Sequence, residues 1–317
     1  MLRATLIRAS ESARLRRQVE TRRLTRDLAL RFIAGETLDD GLAVAERLVR
    51  SGRSVTLDYL GEHVGEEDEA RAAAKVIHEV LERIGDAGLP CGISVKPSQL
   101  GMLFAPALCR DLLGDIAAAA GGLAVRDPGT AAGAHCTLDM EGSAVVDATV
   151  ALTATLWRDG HRNVGCALQT YLHRTQADVE RLSRLDGAAG ASLRLCKGAY
   201  AEPTSIAYQR RRAVDANFRA CVEWLLAHGT YPRFATHDDR LIDHVRTVAA
   251  RTGVSREAFE FQMLHGVRPS LQDALVRDGY RLRVYVPFGD QWYPYFMRRL
   301  AERPANLVFF LRSLRDT

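Results

Sequence analysis

The chain has few cysteines, few lysines and no long apolar run, and these shortages exclude several classes of protein. Its six cysteines are widely spaced and form no CxxC pair, so they predict reduced packing residues rather than a disulfide framework. The longest stretch without a charged residue, 97–109, is shorter than the roughly 20 residues that span a bilayer. Residues 1–31 are rich in arginine and lack the apolar core of a secretory signal. We therefore expect a cytoplasmic protein.

Common cofactor and nucleophile motifs are also missing. The sequence has no GxGxxG, no GxxxxGK[ST], no HExxH and no GxSxG, which argues against a Rossmann site, a P-loop, a zinc protease and a serine hydrolase. We predict no metal site, and we expect His237 and His265 to form hydrogen bonds instead. The basic N-terminus lacks interleaved aromatic residues, so we expect no nucleic-acid partner.

Strand-like and helical segments alternate along most of the 317 residues, of which 47% are hydrophobic and 26% charged. This alternation predicts an α/β fold, a (βα)8 parallel barrel of the TIM-like kind over 54–317, preceded by a helical segment over 1–53. Helical stretches separate eight short apolar or β-branched runs, which begin near Ser54, Cys91, His135, Val164, Ser192, Arg233, Phe259 and Arg281.

Each predicted strand ends in polar or ionisable side chains. In a parallel barrel the carboxyl ends of all strands open on one face, so these groups converge on one mouth. Only three of the 43 basic residues are lysines, and two of them, Lys96 and Lys197, lie at strand ends, whereas Lys75 lies within a helix. This placement favours a functional site over the ordinary polarity of exposed strand ends. The strand-end residues include Asp58, Lys96, Asp139, Gln169, Arg194, Lys197, Thr236, His237, Gln262, His265 and Tyr285.

A helix after the last predicted strand carries two adjacent arginines, Arg298 and Arg299, with Glu302 one turn further on. Adjacent guanidinium groups repel each other unless an anion is nearby, and arginine suits the bidentate capture of a carboxylate or phosphate. In isolation the RRLAE sequence would fit an ordinary solvated helix face. Its position directly after the last barrel strand favours an anion-binding role instead.

Taken in order, these residues resemble the proline dehydrogenase family, in its short monofunctional bacterial form. The resemblance runs from about Ser54 to Glu302 and depends on the segments SVKPSQLG, LDME, LQTYL, RLCKGAY, FATH, FQMLHG and YFMRR. It implies a distorted barrel that binds FAD without a Rossmann motif. It also implies oxidation of L-proline to Δ1-pyrroline-5-carboxylate, with a hydride passing from C5 of proline to N5 of FAD and electrons passing on to a quinone.

The resemblance further implies roles for individual residues. Arg194 would lie beside N5 of the flavin, and Asp139 and Glu302 would orient the cations of the site. The substrate-binding residues would be Lys96, Arg298, Arg299, Tyr285 and Leu264. The remaining cofactor-binding residues would be Gln169, Lys197, Gly198, Ala199, Thr236, His237 and Gln262.

Two other functions fit the residues less well. A barrel lyase or aldolase would use Lys96 or Lys197 as a Schiff-base nucleophile. A scaffold without catalysis would use the arginine-rich N-terminus to bind a partner, but it leaves the polar strand ends without a purpose.

A quinone acceptor would require peripheral membrane contact, and the N-terminal leucines could provide it. We favour a core role for those leucines, because Glu20 and Asp27 interrupt the apolar face.

Overall fold

Eight parallel strands close into a barrel in chain order, which confirms the predicted fold. The computed structural model describes residues 29–61, 64–185 and 192–302, except for the side chains of 298–302. The strands are β1 (Ser54–Tyr59), β2 (Cys91–Val95), β3 (Cys136–Leu138), β4 (Val164–Gln169), β5 (Arg194–Cys196), β6 (Arg233–Ala235), β7 (Glu260–Leu264) and β8 (Leu282–Phe288). Each strand begins within two residues of its predicted start.

Helices follow the strands and cover the barrel. A short 3₁₀ helix, Pro97–Leu100, also follows β2. The α-helices are α1 (Leu38–Arg50), α2 (Glu67–Asp86), α3 (Pro106–Gly121), α4 (Ser143–Arg158), α5 (Thr175–Ser183), α6 (Arg211–His228), α7 (Asp239–Thr252), α8 (Pro269–Arg277) and α9 (Trp292–Glu302).

Helix α1 precedes the first strand and packs on β1 and β8. Its start follows from a capping box, in which the Thr37 hydroxyl accepts from the Asp40 amide and the Asp40 carboxylate accepts from the Thr37 amide. Its inward face buries Leu42, Val44 and Ala45 in the main hydrophobic core. The boundary at residue 53/54 between this segment and the barrel stays a prediction.

Four charged side chains fill the amino-terminal end of the barrel interior, and we call them the ionic floor: Asp127, Arg233, Glu260 and Arg283. Arg283 donates from Nε to Glu260 at 2.6 Å and from Nη2 to Asp127 at 2.7 Å. All four residues are fully buried. Two cations therefore face two carboxylates, which removes the net charge that would make such burial prohibitive.

Gly92 in β2 makes room for the ionic floor. A Cβ at this position would lie 2.7 Å from Oδ2 of Asp127 and 2.7 Å from the His135 carbonyl oxygen. Because both neighbours are held in place by hydrogen bonds, only glycine lets Asp127 enter the barrel.

A second hydrophobic core joins the two ends of the described chain above β8. The N-terminal segment, residues 29–37, buries Phe32 and Ile33 against α9 residues such as Phe296. Backbone hydrogen bonds fix it there: the Ala34 amide donates to the Pro287 carbonyl, and the Gly289 amide donates to the Gly35 carbonyl. This segment therefore holds α9 over one side of the barrel.

The membrane hypothesis concerns leucines within residues 1–28, which lie outside the described part of the chain. Within the described residues, no helix combines the length and apolarity that crossing a bilayer requires.

We predict that Phe32→Ala costs about 3–5 kcal/mol in the free energy of unfolding, because it removes a buried aromatic ring from the second core. Leu30→Ala is the matched control. Leu30 is 42% exposed, so its truncation should stay within about 0.5 kcal/mol of the wild type. Urea denaturation of both variants measures the difference. Equal stabilities would contradict the packing described for this segment.

Candidate active site

A cavity of about 920 Å³ opens at the carboxyl ends of the strands. Its walls include every residue before α9 to which the resemblance gave a substrate or cofactor role, whereas the strand-end residues Asp58 and His265 do not line it. The predicted residues that line it are Lys96, Asp139, Gln169, Arg194, Lys197, Gly198, Ala199, Thr236, His237, Gln262, Leu264 and Tyr285. Helix α9 reaches the cavity through Tyr295, and the predicted residues Arg298, Arg299 and Glu302 lie further along the same helix, where side chains are outside the described part.

Asp139, directly after β3, is the centre of the hydrogen-bond network in this cavity. Its Oδ1 accepts from Arg194 Nη1 at 2.6 Å and from the Ser94 hydroxyl at 2.5 Å. Its Oδ2 accepts from the Tyr285 hydroxyl at 2.7 Å and lies 3.6 Å from Lys96 Nζ. Burial opposes its ionisation, but the Lys96 and Arg194 cations outweigh burial and lower the pKa of Asp139. Asp139 is therefore an ionised anchor for two cations.

Lys96 and Asp58 form a buried ion pair beside this centre. Lys96 Nζ donates to both carboxylate oxygens of Asp58, at 2.9 and 3.1 Å. Complete burial raises the pKa of Asp58 to about 6, against the opposing effect of the Lys96 ammonium. The two neighbouring carboxylates, Asp58 and Asp139, thus differ in their affinity for a proton.

Arg194 in β5 is fixed along two edges of its guanidinium. Its Nε donates to Gln262 Oε1 at 2.6 Å, and its Nη1 donates to Asp139 and, at 3.2 Å, to Ser94. Its Nη2 is buried and has no hydrogen-bond partner among the described residues. The guanidinium carbon also lies 5.4 Å from the centre of the Tyr285 ring. The site therefore contains an oriented cation, one nitrogen of which is unpartnered.

Tyr285 is held as a neutral hydroxyl. Burial, together with the nearby Asp139 and Asp58 carboxylates, raises the pKa of Tyr285 well above its ordinary value. Its proton therefore stays on the oxygen and is donated to Asp139. The ring remains available as an apolar wall of the cavity.

A second charged cluster lies at the other side of the cavity. Lys197 Nζ lies 2.6 Å from Asp215 and 3.0 Å from Asp238, and Arg211 Nη2 donates to Asp238 at 2.6 Å. Burial raises the pKa of Asp238, but hydrogen bonds from Lys197 and Arg211 outweigh burial and lower this pKa to about 2. Lys96 and Lys197 each contact carboxylates, whereas a Schiff-base nucleophile needs a neutral amine. This geometry disfavours the lyase alternative.

Three neutral polar residues of the cavity form hydrogen bonds with backbone groups. Gln169 donates from Nε2 to the Glu141 carbonyl at 2.9 Å and accepts from the Ala199 amide at 3.4 Å. His237 accepts the Leu264 amide at Nε2 at 2.9 Å, which places the proton of a neutral ring on Nδ1. The Thr236 hydroxyl accepts from the Asp238 amide. These bonds position the loops that form the cavity wall.

Several functional neighbours were not predicted from the sequence. Ser94 lies inside β2 and Glu260 begins β7, and a polar residue before the carboxyl end of a strand gives only a weak signal. Asp215 lies on a helix, and its role depends on its contact with Lys197. Asp58 was identified as a strand-end residue, but its pairing with Lys96 follows only from the alignment of β1 with β2.

Together, the closed barrel and the polar cavity at the carboxyl ends of its strands define the class of barrel enzymes whose active sites are built from strand ends. The family model described as proline dehydrogenase matches residues 42–312. The chain belongs to the proline dehydrogenase family and is an oxidoreductase of that family.

Comparison with individual proteins gives the same result. The chain is 35% identical to proline dehydrogenase 1 of Bacillus subtilis (strain 168) over 92% of its own length and 91% of the relative's. It is 36% identical to the proline dehydrogenase of Deinococcus radiodurans, covering 91% of this chain and 90% of that one.

Among solved structures, proline utilization A from Bdellovibrio bacteriovorus, inactivated by N-propargylglycine, superposes with a TM-score of 0.79 at 25% identity. The match covers 88% of this chain and 33% of that protein, so this chain spans about a third of its length.

We predict that the buried Asp58 carboxyl makes stability depend on pH. Its folded pKa of about 6 exceeds the unfolded value of 3.8, so the folded protein keeps a proton that the unfolded chain releases. The wild type should therefore lose about 2 kcal/mol of stability relative to Asp58→Asn as the pH rises from about 4 to about 6.

Urea denaturation of both proteins between pH 4 and pH 8 checks this prediction. Asp111→Asn, at an exposed position of α3, serves as a control and should follow the wild-type profile. A constant difference between the wild type and Asp58→Asn across this range would refute it.

Proposed function

We propose that this enzyme oxidises L-proline to Δ1-pyrroline-5-carboxylate, with FAD in the cavity as the hydride acceptor and a quinone as the final electron acceptor. The observation that carries the proposal is Arg194. This buried cation lines the cavity, is fixed at Nε and Nη1, and has no hydrogen-bond partner for Nη2 among the described residues.

The residues present fit a flavin. The cavity volume of about 920 Å³ is in the range of cofactor sites, and its lining mixes apolar groups with hydrogen-bonding ones. Bound FAD would supply the hydride-accepting chemistry that no side chain has. Gln169 ends β4, Thr236 and His237 follow β6, and the backbone of Gly198 and Ala199 follows β5, which lies between those two strands. Lys197 keeps a third ammonium donor beyond its two carboxylate contacts.

The chain's own residues would bind and orient proline. Arg298, Arg299 and Lys96 would bind the substrate carboxylate, with Glu302 orienting the arginines. Tyr285 and Leu264 would pack on the ring of proline, because both line the cavity beside the second core. Asp139 would hold Arg194 and Lys96 in fixed positions. Such fixed placement of the reacting groups can lower a barrier by several kcal/mol.

An absorption spectrum of the purified protein tests the proposal directly. The protein should be yellow, and anaerobic L-proline should bleach the flavin bands. A soluble short-chain quinone added without oxygen should restore them. A colourless protein that binds no added FAD would refute the proposal, and reduction by proline without reoxidation by the quinone would refute the acceptor.

We predict that Arg298→Met or Arg299→Met lowers kcat/KM for proline by about 2–5 kcal/mol in transition-state free energy, because the buried substrate carboxylate loses a charge-assisted partner. Bound FAD should be retained. Arg277→Met, at an exposed position at the end of α8, is the control and should keep wild-type kinetics. Wild-type kcat/KM in a yellow Arg298 or Arg299 variant would show that the carboxylate binds elsewhere.

We predict that Arg194→Leu lowers the midpoint potential of the bound flavin and slows its reduction by proline more than it weakens proline binding. A fixed cation stabilises the negative charge that develops on reduction. Titration with redox dyes and rapid-mixing kinetics measure the two effects. An unchanged potential would contradict the placement of Arg194 beside the flavin.

A further inference from the structure

Glu260 belongs to the ionic floor and lies two residues before Gln262 in β7, on the side away from the cavity mouth. The two residues are alternate positions of β7, so both point into the barrel. Gln262 donates from Nε2 to Glu260 Oε1 at 2.6 Å and accepts at Oε1 from Arg194 Nε at 2.6 Å. We propose that Glu260 is a positioning residue, which fixes Arg194 by determining the orientation of the Gln262 amide.

The chemistry of the three groups permits only one orientation of the amide. A carboxylate accepts hydrogen bonds and cannot donate them, whereas a guanidinium only donates. Between Glu260 and Arg194, the amide must therefore direct its NH2 group downward and its oxygen upward. Without the acceptor below, only the contact with Arg194 Nε would hold the amide, and a half turn would oppose its NH2 group to that donor.

Glu260 is itself held rigidly and kept ionised. Arg283 Nε donates to the same Oε1 at 2.6 Å, and Arg233 Nε lies 3.7 Å away. Burial opposes ionisation, but these two cations outweigh it and lower the pKa of Glu260. Because the ionic floor has no net charge, Glu260 acts on Arg194 through hydrogen-bond geometry rather than through an unbalanced charge.

Loss of the Gln262 contact would affect the unpartnered Nη2 atom of Arg194. Gln262 fixes Nε, and Asp139 with Ser94 fixes Nη1, so the direction of the unpartnered Nη2 is set. Removing the Nε contact leaves the guanidinium free to turn about its bonds to Asp139. Arg194 would then stay in the cavity as a cation, but its donor would no longer be aimed at one place.

This inference rests on the proposed flavin function, and matched pair variants test it. Glu260→Met/Arg283→Met removes the acceptor below Gln262 together with one cation, so the ionic floor stays neutral and apolar side chains fill the space. The control, Asp127→Asn/Arg283→Met, also removes one negative and one positive charge but leaves Glu260 beneath Gln262. Both holoenzymes are compared with the wild type in flavin midpoint potential, kcat and KM for L-proline.

In Glu260→Met/Arg283→Met we expect kcat to fall about tenfold, with KM changed less than about threefold. The preference of the protein for reduced over oxidised flavin should also fall about tenfold, which is about 30 mV for a two-electron couple. The control pair should keep the wild-type potential. Equal shifts in both pairs, or no shift in either, would overturn the proposal.

Glu260→Gln/Arg283→Met provides a second, conservative test, in which the ionic floor again stays neutral. The amide oxygen introduced at position 260 can accept from Gln262 as the Glu260 carboxylate does, so the wild-type potential should be retained. A potential displaced by about 30 mV in Glu260→Gln/Arg283→Met would overturn the proposal. A wild-type protein whose flavin is not reduced by proline would instead refute the proposed function and leave the geometry of β7 unaffected.

Discussion

The carboxylate of Asp139 is the group on which the cavity depends. It contacts four neighbours from three strands. Ser94 lies in β2 and Lys96 directly after it, Arg194 lies in β5, and Tyr285 lies in β8. Burying these charges costs several kcal/mol for each ion unless every one is paired and hydrogen-bonded. A network that meets this condition has few alternative arrangements, so it is rigid. The barrel strands thus hold several hydrogen-bond donors in fixed positions around the Asp139 carboxylate.

The interior charges come in opposed pairs from the ionic floor to the cavity. Arg283 faces Asp127 and Glu260, Arg194 faces Asp139, and Lys96 faces Asp58. The described cavity walls therefore have little net positive charge to attract an anionic substrate. On the proposed function, Arg298 and Arg299 of α9 would supply the excess. A substrate carboxylate would then bind on the α9 side of the cavity, with Lys96 assisting.

Much of this arrangement could be predicted from the sequence. The alternation of strands and helices predicted the barrel, and strand ends such as Gln169 and Lys197 were predicted to converge because all parallel strands point one way. The pairings could not be predicted, because they depend on register. That Gln262 would contact Arg194, 68 positions earlier, follows only from how β5, β6 and β7 align. The roles of Glu260 and Ser94 stayed hidden for the same reason.

The second core links the position of α9 to the start of the chain. Leu264 and Tyr285, which line the cavity, also pack against the cluster formed by Phe32 and Phe296. Gly266 lets the loop after β7 approach the N-terminal segment, because a Cβ at this position would lie 1.5 Å from the Arg31 carbonyl oxygen. The N-terminal segment is thus part of the wall that seats α9. Substrate affinity should therefore respond to packing at residues 29–37, although none of them lines the cavity.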